Sequence, residues 1–389
     1  MRRILHPSIL ALAGLLILLG SGCGPKEDAS SGAGGGAPEG ASRGDELVEP
    51  TDLTGIPIVQ ERWVSAWDTT SNLDSPAYWS GPEGHWIVAT AKNTHDLWVF
   101  DAVNGALVRR VGGFGPNLGQ FNYPNGIAIV GDLLLVVERD NHRVQILSLP
   151  TFEPLGTFGQ QVLERPYGIA QFGDPAKALT VYLTDDYGNE EDPPEGQDPT
   201  GDFTRRIKRF DLAPSPGGGF RATFLGAFGE AHGPGALMVV ESIQVDEMTG
   251  VLLIADEHNF ELELYDLEGQ YLHRTIGSGL YRGGDPEGIM LYRCGEEGYW
   301  ILTDQGATRS IFHVLDRLTF ERLGSFAGEV TANTDGIWLT QGTVPGLGQG
   351  ALVALHDDGG LGAFAWEDVA SALGLETGCG ADAGDGPGE

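Results

Sequence analysis

Basic residues are scarce in this sequence. Lysine and arginine together number 23 against 55 aspartate and glutamate residues, and the formal net charge is −32. Because like charges repel within a Debye length, this balance argues against nucleic acid and anionic membrane surfaces as partners. It favours cations as ligands. Cysteine is also rare, since the whole chain has three.

The sequence also lacks the short motifs of several enzyme classes. No Walker loop, CxxC pair, HExxH helix or Gly-x-Ser-x-Gly elbow occurs. Nucleotide hydrolysis on a P-loop, thiol redox chemistry, zinc proteolysis and α/β-hydrolase chemistry therefore have no support. Helical periodicity is almost absent as well, which favours an all-β fold.

The N-terminus is organised like a bacterial export signal. Arginines precede an apolar run over Ile9–Leu19, and small residues then lead to Cys23. The run is short for a membrane-spanning helix, and a cysteine after small residues is typical of a lipobox. We expect residues 1–22 to be a lipoprotein signal peptide and Cys23 to anchor the exported protein in the cell envelope. Cleavage without lipidation is the alternative, because Gly20 stands where a lipobox usually has leucine.

Two segments have the composition of flexible chain. Residues 23–45 and 377–389 consist mainly of Gly, Ala, Ser, Pro and charged residues, which bury too little apolar surface to offset the entropy of ordering. We expect a tether and a tail, with one domain at 46–376 between them. If Cys23 is lipidated, Cys294 and Cys379 remain, and they could pair in an oxidising compartment.

A repeat organises the predicted domain. A polar residue, a glycine and an aliphatic residue recur, and a short aliphatic strand follows each copy. A spacing of about 40 to 50 residues, with short strands and turns rich in Gly, Asp and Asn, is typical of propeller blades. The copies predict a six-bladed β-propeller, with an acidic surface loop inserted at 188–202. They begin at Asp74, Pro124, Pro166, Val240, Pro286 and Thr334.

The repeat brings polar side chains to the central channel. The innermost strand of each blade lines the channel, so the polar residue before each glycine and aliphatic pair is expected to face one axis. This first ring consists of Asp74 or Ser75, Asn125, Tyr167, Glu241, Glu287 and Asp335. A second ring, just past the next strand of each blade, consists of Lys92, Arg139, Asp186, Glu257, Gln305 and His356.

The rings contain several carboxylates. Converging carboxylates repel each other unless a cation or protons neutralise them, and hard oxygen ligands suit Ca²⁺. We therefore predict a site for several calcium ions. Its predicted ligands are Glu241, Glu257, Glu287 and Asp335, with Asp74, Tyr167 and Glu329 as additional ones. The alternative for each is a solvated residue of a turn or of the channel mouth.

Lys92 and Arg139 stand out against this acidic background. Cations beside a metal cluster would hold a phosphate, with Tyr167 as a further substrate contact. Metal ions beside Glu257 would polarise the phosphoryl group and lower the pKa of an attacking water, so no covalent nucleophile is needed. The alternatives are an ion pair of Arg139 with a neighbouring acid and a solvated turn at Lys92.

The second half of the chain carries a family resemblance. It lies in segments 241–257 (ESIQVDEMTGVLLIADE), 285–292 (DPEGIMLY), 299–306 (YWILTDQG) and 333–337 (NTDGI). On these segments residues 74–373 resemble the β-propeller phytases, calcium-dependent enzymes that hydrolyse phosphate from inositol hexakisphosphate. The resemblance implies calcium-site roles for Asp74, Tyr167, Glu241, Glu257, Glu287, Asp335 and, as a looser match, Glu329. It implies phosphate-holding roles for Lys92 and Arg139.

The chain departs from the family pattern at four places. Ser75 follows Asp74 where the family has paired aspartates, and Asn93 follows Lys92 where it has a second lysine. No basic residue stands near Asp186, and Gly360 stands where the family usually has a calcium-binding asparagine. Fewer ligands and cations imply weaker calcium and phosphate binding, so a catalytically inactive member is an alternative.

The second repeat is also similar to an NHL repeat, a propeller module often used to bind proteins. The similarity lies in residues 123–128 (YPNGIA) and 138–145 (ERDNHRVQ). An inactive cell-surface binding scaffold is therefore the alternative function, and calcium-dependent lactonase propellers are a third class, which has no need of Lys92 and Arg139. We predict a monomeric phytase-like phosphomonoester hydrolase, acting on an inositol phosphate or a related phosphorylated small molecule.

Overall fold

The computed structural model describes residues 50–188, 201–277 and 279–377. The predicted signal peptide, the lipidation of Cys23, the tether and nearly all of the tail and the acidic loop lie outside these ranges. Within them, no helix combines the length and apolar character needed to cross a membrane. Cys294 is disulfide-bonded. Its predicted pairing with Cys379 stays a prediction, because Cys379 also lies outside the described residues.

The first three blades follow each other along the chain, after two short N-terminal strands. These strands are β1 (Ile58–Val59) and β2 (Trp63–Val64). Blade 1 consists of β3 (Leu73–Gly81), β4 (Gly84–Ala91), β5 (Asp96–Asp101) and β6 (Leu107–Gly112). Blade 2 consists of β7 (Pro124–Val130), β8 (Leu133–Glu138), β9 (Arg143–Ser148) and β10 (Glu153–Phe158). Blade 3 consists of β11 (Pro166–Asp174), β12 (Ala178–Asp185), β13 (Ile207–Pro214) and β14 (Phe220–Phe228).

The last three blades continue the pattern, and two of them take in the N-terminal strands. Blade 4 consists of β15 (Val240–Asp246), β16 (Val251–Asp256), β17 (Glu261–Asp266) and β18 (Tyr271–Ile276). Blade 5 consists of β19 (Asp285–Cys294), β20 (Glu297–Gln305), β21 (Ile311–Asp316), β22 (Arg322–Gly328) and β1. Blade 6 consists of β23 (Ile337–Val344), β24 (Gly348–His356), β25 (Gly360–Ala365) and β2.

The ring of blades is closed by the N-terminal strands. β2 pairs antiparallel with β25, with Trp63 opposite Ala363, so an early strand completes the last blade. β1 adds to blade 5 in parallel with β22. Each inner strand contacts the inner strands of both neighbouring blades, and β23 contacts β3. The predicted all-β, six-bladed β-propeller is confirmed.

The middle strands of the blades are buried on both faces. In β8, Leu134 and Val136 pack in the cluster shared with blade 1, whereas Leu135 and Val137 pack in the cluster shared with blade 3. An uninterrupted aliphatic run is expected where both faces of a strand are covered. The hydrophobic core therefore lies between adjacent blades, and the polar residues are left for the channel and the rim.

The glycine of the repeat allows the inner strands to meet near the axis. A Cβ atom at Gly336 would lie 2.5 Å from the carbonyl oxygen of Asp74 in blade 1. Cβ atoms at Gly126 and Gly168 would likewise collide with the carbonyl oxygens of Tyr167 and Glu241 in the next blades. Only a residue without a side chain fits such a close approach.

Helix α1 (Trp366–Leu373) follows β25 and was not predicted. Its buried residues are Trp366, Val369 and Ala370, and it ends at Gly374, whose φ of 69° is left-handed. The indole of Trp366 stacks on the ring of Tyr292 in blade 5, with 4.6 Å between centroids. The helix thereby packs against blades 5 and 6, mainly on β22 and β24.

A buried ion pair joins blades 4 and 5 at the turns between strands. Arg317, after β21, makes two hydrogen bonds to the carboxylate of Asp246 at the end of β15, at 2.7 Å and 2.5 Å. The same guanidinium donates to the carbonyl oxygens of Gly295 and Glu297. All of these groups belong to the end of the blades opposite the start of the inner strands.

Candidate metal centre in the central channel

The strand register fixes which residues form the first ring. Leu73 pairs with Ala91 and Pro76 with Ala89, with an irregularity between them, so Asp74 occupies the ring position. The same irregularity follows Pro124, Pro166, Val240 and Pro286 in the other blades. In blades 1 to 5 the ring residue therefore sits in a bulge at the start of its inner strand, whereas Asp335 in blade 6 lies two residues before β23.

The second ring needs one correction. In blade 2, Ile127 pairs with Val136, and the second-ring residue Arg139 lies three residues after Val136. In blade 6, the corresponding residue Ile337 pairs with Ala354, so the count starts from Ala354. The equivalent position in blade 6 is therefore Asp357, not His356. The predicted position was one residue early, because the pairing of β23 with β24, which sets the count, is not visible in the sequence.

Three glutamates converge on one point in the channel. Glu241 lies on β15 and Glu287 on β19, and Glu257 directly follows β16. One carboxylate oxygen from each lies within 4.8 Å of the others. Glu287 is buried, while Glu241 and Glu257 are partly exposed. Adjacent blades 4 and 5 thus supply the three predicted ligands that the structure brings together most closely.

Burial is the largest cause of a raised pKa in all three glutamates. Glu257 adds to this effect at Glu241, and Glu257 and Glu241 add to it at Glu287, so both pKa values lie well above the ordinary value. Burial, followed by the nearby charge of Asp285, raises the pKa of Glu257 to about 8. In the absence of a cation this cluster holds protons at neutral pH, and a bound cation would displace them.

The donor set fits a hard divalent cation. Carboxylate oxygens are the ligands that Ca²⁺ prefers. The Oε1 atom of Glu257 is shielded from solvent and has no hydrogen-bond partner among the described residues. A shielded acceptor without a donor is costly unless a cation or a water satisfies it. Glu241, Glu257 and Glu287 would therefore hold the ion.

The opposite side of the channel contains a lysine. The Nζ atom of Lys92 lies 3.0 Å from Asp74 Oδ1, and 3.4 Å from both Asp335 Oδ2 and the hydroxyl oxygen of Tyr167. Burial opposes the charge of Lys92, but Tyr167, Asp74 and Asp335 raise its pKa well above the ordinary value. Burial raises the pKa of Asp335 to about 7, with Lys92 acting in the opposite direction.

A narrow cavity connects the two sides. Its volume is about 20 Å³, which is enough for roughly one water-sized occupant. The cavity is lined by Asp74, Ser75, Tyr167, Gly168, Glu241, Ser242, Glu287 and Asp335. These include five of the six first-ring positions; the sixth residue, Asn125, is fully buried and its side-chain atoms have no hydrogen-bond partner in the described structure.

Two predicted site residues lie apart from this cavity. Arg139 is 2.8 Å from Asp140, and its guanidinium lies over the ring of Tyr123, 3.5 Å from the centroid. Glu329 is exposed, and its backbone N–H donates to Glu61. Neither residue lines the cavity; Lys92 and Glu257 do not line it either, but each lies beside residues that do.

Three acids near the site were not among the predicted ligands. Asp285 and Asp186 both raise the pKa of Glu257. Asp186 also lies 3.2 Å from Arg206, a buried arginine far along the chain that the sequence did not associate with it. Asp358 raises the pKa of Asp335 and accepts a hydrogen bond from Asn333. The corrected register of blade 6 places Asp358 beside the second ring and would have indicated it.

Comparison with known proteins identifies one repeat. Residues 121–147, which cover most of β7, β8 and β9, match the NHL repeat family. No curated protein matches the sequence. A chain in the crystal structure of a nidogen/laminin complex is similar, with a TM-score of 0.43 and 12% identity, over 66% of this chain and 80% of that one. The phytase-like family finds no support among these matches and stays a prediction; the chain is a six-bladed β-propeller that contains an NHL repeat.

Proposed function

We propose that this propeller is a calcium-dependent hydrolase that acts on phosphomonoesters of small organic molecules, such as an inositol phosphate. The observation that carries the proposal is the cluster of Glu241, Glu257 and Glu287, whose oxygens lie within 4.8 Å of one another. Calcium bound there would polarise a phosphoryl oxygen and lower the pKa of an attacking water.

The remaining residues of the channel support this chemistry. The cavity has room for roughly one water-sized occupant, so the organic part of the substrate would stay at the mouth. Arg139, on the turn after β8 at the same end of blade 2, would receive the phosphate there through its planar guanidinium. Glu257, whose Oε1 is shielded from solvent, would help to hold the calcium ion beside the attacking water.

The test is phosphate release from inositol hexakisphosphate by the purified full chain, with calcium and with a chelator. Glu287→Gln removes one predicted ligand charge, and Glu296→Gln is the matched control, since Glu296 is exposed on the turn between β19 and β20 of the same blade. We expect calcium-dependent release that falls by about 100-fold or more in the Glu287 variant and is unchanged in the control.

Two results would overturn the proposal. Phosphate release that persists in chelator, or equal activity of the two variants, would show that the metal centre takes no part in the reaction. Absence of release, with calcium still raising the melting temperature, would remove the hydrolase function altogether.

A binding scaffold is the second candidate, and the NHL repeat at 121–147 favours it. Two large apolar side chains, Phe114 and Leu118, are exposed on the loop between β6 and β7, next to this repeat. Exposed apolar groups of this kind are frequent where proteins bind each other. The scaffold predicts calcium binding without phosphate release, so the same assay distinguishes the two functions.

A further inference from the structure

We infer that the ammonium group of Lys92 is the resident cation of one half of the channel, so that the channel binds a single divalent ion at Glu241, Glu257 and Glu287. The inference rests on the proposed metal centre and refines it. It also changes the predicted role of Lys92, from a phosphate contact to a fixed counter-charge for Asp74 and Asp335.

The geometry around Lys92 matches an ammonium group. An ammonium is a compact charge with three N–H donors, and Lys92 Nζ has three oxygen neighbours at 3.0 to 3.4 Å, from Asp74, Asp335 and Tyr167. Lys92 is 8% exposed and Asp74 is 2% exposed. A buried lysine keeps its charge only when it is paired in this way.

The oxygens of Asp74 and Asp335 are already occupied. Asp74 Oδ1 contacts Lys92 and accepts from the hydroxyl of Tyr167, and Asp74 Oδ2 accepts from Ser75 at 2.8 Å. Asp335 Oδ2 contacts Lys92, and Asp335 Oδ1 accepts from Gln305. All four carboxylate oxygens therefore have a protein partner, and the two carboxylates already share the positive charge of Lys92.

The glutamate side of the channel differs in this respect. Within the described residues, no ion pair joins Glu241, Glu257 or Glu287 to a basic side chain. Glu257 Oε1 is also without a hydrogen-bond donor. The charges are divided by blade: Lys92, Asp74 and Asp335 belong to neighbouring blades 1 and 6, and the glutamates belong to neighbouring blades 4 and 5. The cavity between them has space for roughly one ion-sized occupant, about 20 Å³.

Calcium titration calorimetry on the full chain tests this assignment, with calcium alone as the probe. Lys92→Met removes the charge and keeps most of the side-chain length. Lys177→Met is the matched control, because Lys177 is an exposed lysine on the turn between β11 and β12. We expect Lys92→Met to bind one more calcium ion per chain than the unaltered protein and the control. An unchanged number of ions in a folded Lys92→Met protein would overturn the inference.

A second variant tests the same assignment where Lys92→Met does not fold. Asp335→Asn keeps Lys92 and its contact with Asp74. If Lys92 is the resident cation, calcium affinity stays within about fivefold of the unaltered protein, since no metal ligand is lost. If Asp335 binds a divalent ion instead, the affinity falls by about tenfold or more, or one ion is lost, and the inference is rejected.

The proposed function and the role of Lys92 are tested by different measurements. Loss of calcium binding in Glu287→Gln tests the glutamate centre. The difference of one ion between Lys92→Met and the unaltered protein tests the role of Lys92. If the unaltered protein binds no calcium, the proposed function is wrong. In that case an increase from zero to one bound ion in Lys92→Met would still support Lys92 as the resident cation.

Discussion

At the scale of single residues, Glu263 in the middle of β17 is a carboxyl group enclosed by a blade. Its side chain is 0% exposed, and neither carboxylate oxygen has a hydrogen-bond partner in the part of the chain that the structure describes. Burial, followed by the charges of Asp256 and Glu261, raises the pKa of Glu263 to about 10. The group is therefore protonated in the folded protein at neutral pH and ionised in the unfolded chain.

This difference makes the stability of the protein depend on pH. Because the folded state binds the extra proton, the contribution of Glu263 is largest below its ordinary pKa of 4.5 and is lost as the pH rises towards 10. We expect Glu263→Gln to increase the free energy of unfolding at pH 8 by about 1 to 3 kcal/mol and to change it little at pH 4. Urea unfolding at the two pH values measures both.

The control for this prediction is Glu247→Gln, since Glu247 is exposed on the turn between β15 and β16 of the same blade. It should leave the pH dependence of unfolding as it is in the unaltered protein. Equal pH dependence in all three proteins would show that Glu263 is solvated or paired in solution.

The sequence could predict the types of residue in the site but not their pairing. The two ring positions of the repeat were sufficient to place Glu241, Glu257 and Glu287 at the same channel. The repeat could not show that Lys92 Nζ lies 3.4 Å from Asp335 Oδ2. The two residues belong to blades 1 and 6, which become neighbours only when the propeller closes. Likewise, Arg206 lies beside Asp186 because β12 and β13 pair antiparallel, with Thr184 opposite Ile207.

At the scale of elements, the ion pair of Arg317 and Asp246 holds blade 4 to blade 5. Both side chains are almost fully buried, at 1% and 0% exposure, and the pair is bidentate. Removing one partner of such a pair leaves a buried charge uncompensated. We expect Arg317→Met to lower the free energy of unfolding by about 3 to 5 kcal/mol.

Urea unfolding followed by tryptophan fluorescence measures this change. Arg322→Met is the control, since Arg322 is an exposed residue at the start of β22 in the same blade. The control should change the free energy of unfolding by less than about 0.5 kcal/mol. Equal effects of the two substitutions would mean that the pair contributes no more than a surface charge.

Elements with an apolar pattern could be predicted, and those without one could not. The run 133–137 predicted β8 because both of its faces are buried. The outer strand β6 (LVRRVG) has mostly exposed residues, and β1 and β2 are two residues long, so neither kind carries a periodic signal. Helix α1 does have a periodic apolar pattern, because Trp366, Val369, Ala370 and Leu373 follow helical spacing. It could therefore have been predicted.

At the scale of the whole molecule, the glutamate centre makes calcium binding depend on pH. The pKa of Glu257 is raised to about 8, so at lower pH calcium must displace a proton, and its apparent affinity increases as the pH rises towards 8. Without calcium, the same raised pKa makes the folded state lose stability as the pH rises from the ordinary value of 4.5 to about 8.

We therefore expect calcium to increase the melting temperature more at pH 8 than at pH 5. Thermal unfolding at both pH values, with calcium or with a chelator, measures the difference. Glu287→Gln should show little calcium effect at either pH, whereas Glu296→Gln should behave like the unaltered protein. An equal calcium effect at both pH values would place the ion at groups that do not titrate in this range.

The closure of blade 6 by β2 also sets the order in which the protein can be completed. Trp63 pairs with Ala363, so the two strands that close the ring are made about 300 residues apart. When the first five blades have left the ribosome, β25 has not. Until β25 is available, β2 has no strand to pair with. The entropy lost in closing so long a loop is compensated only at that final step. Nearly the whole chain must therefore be synthesised before its last blade exists, and a truncated product would expose the unpaired edge that invites aggregation.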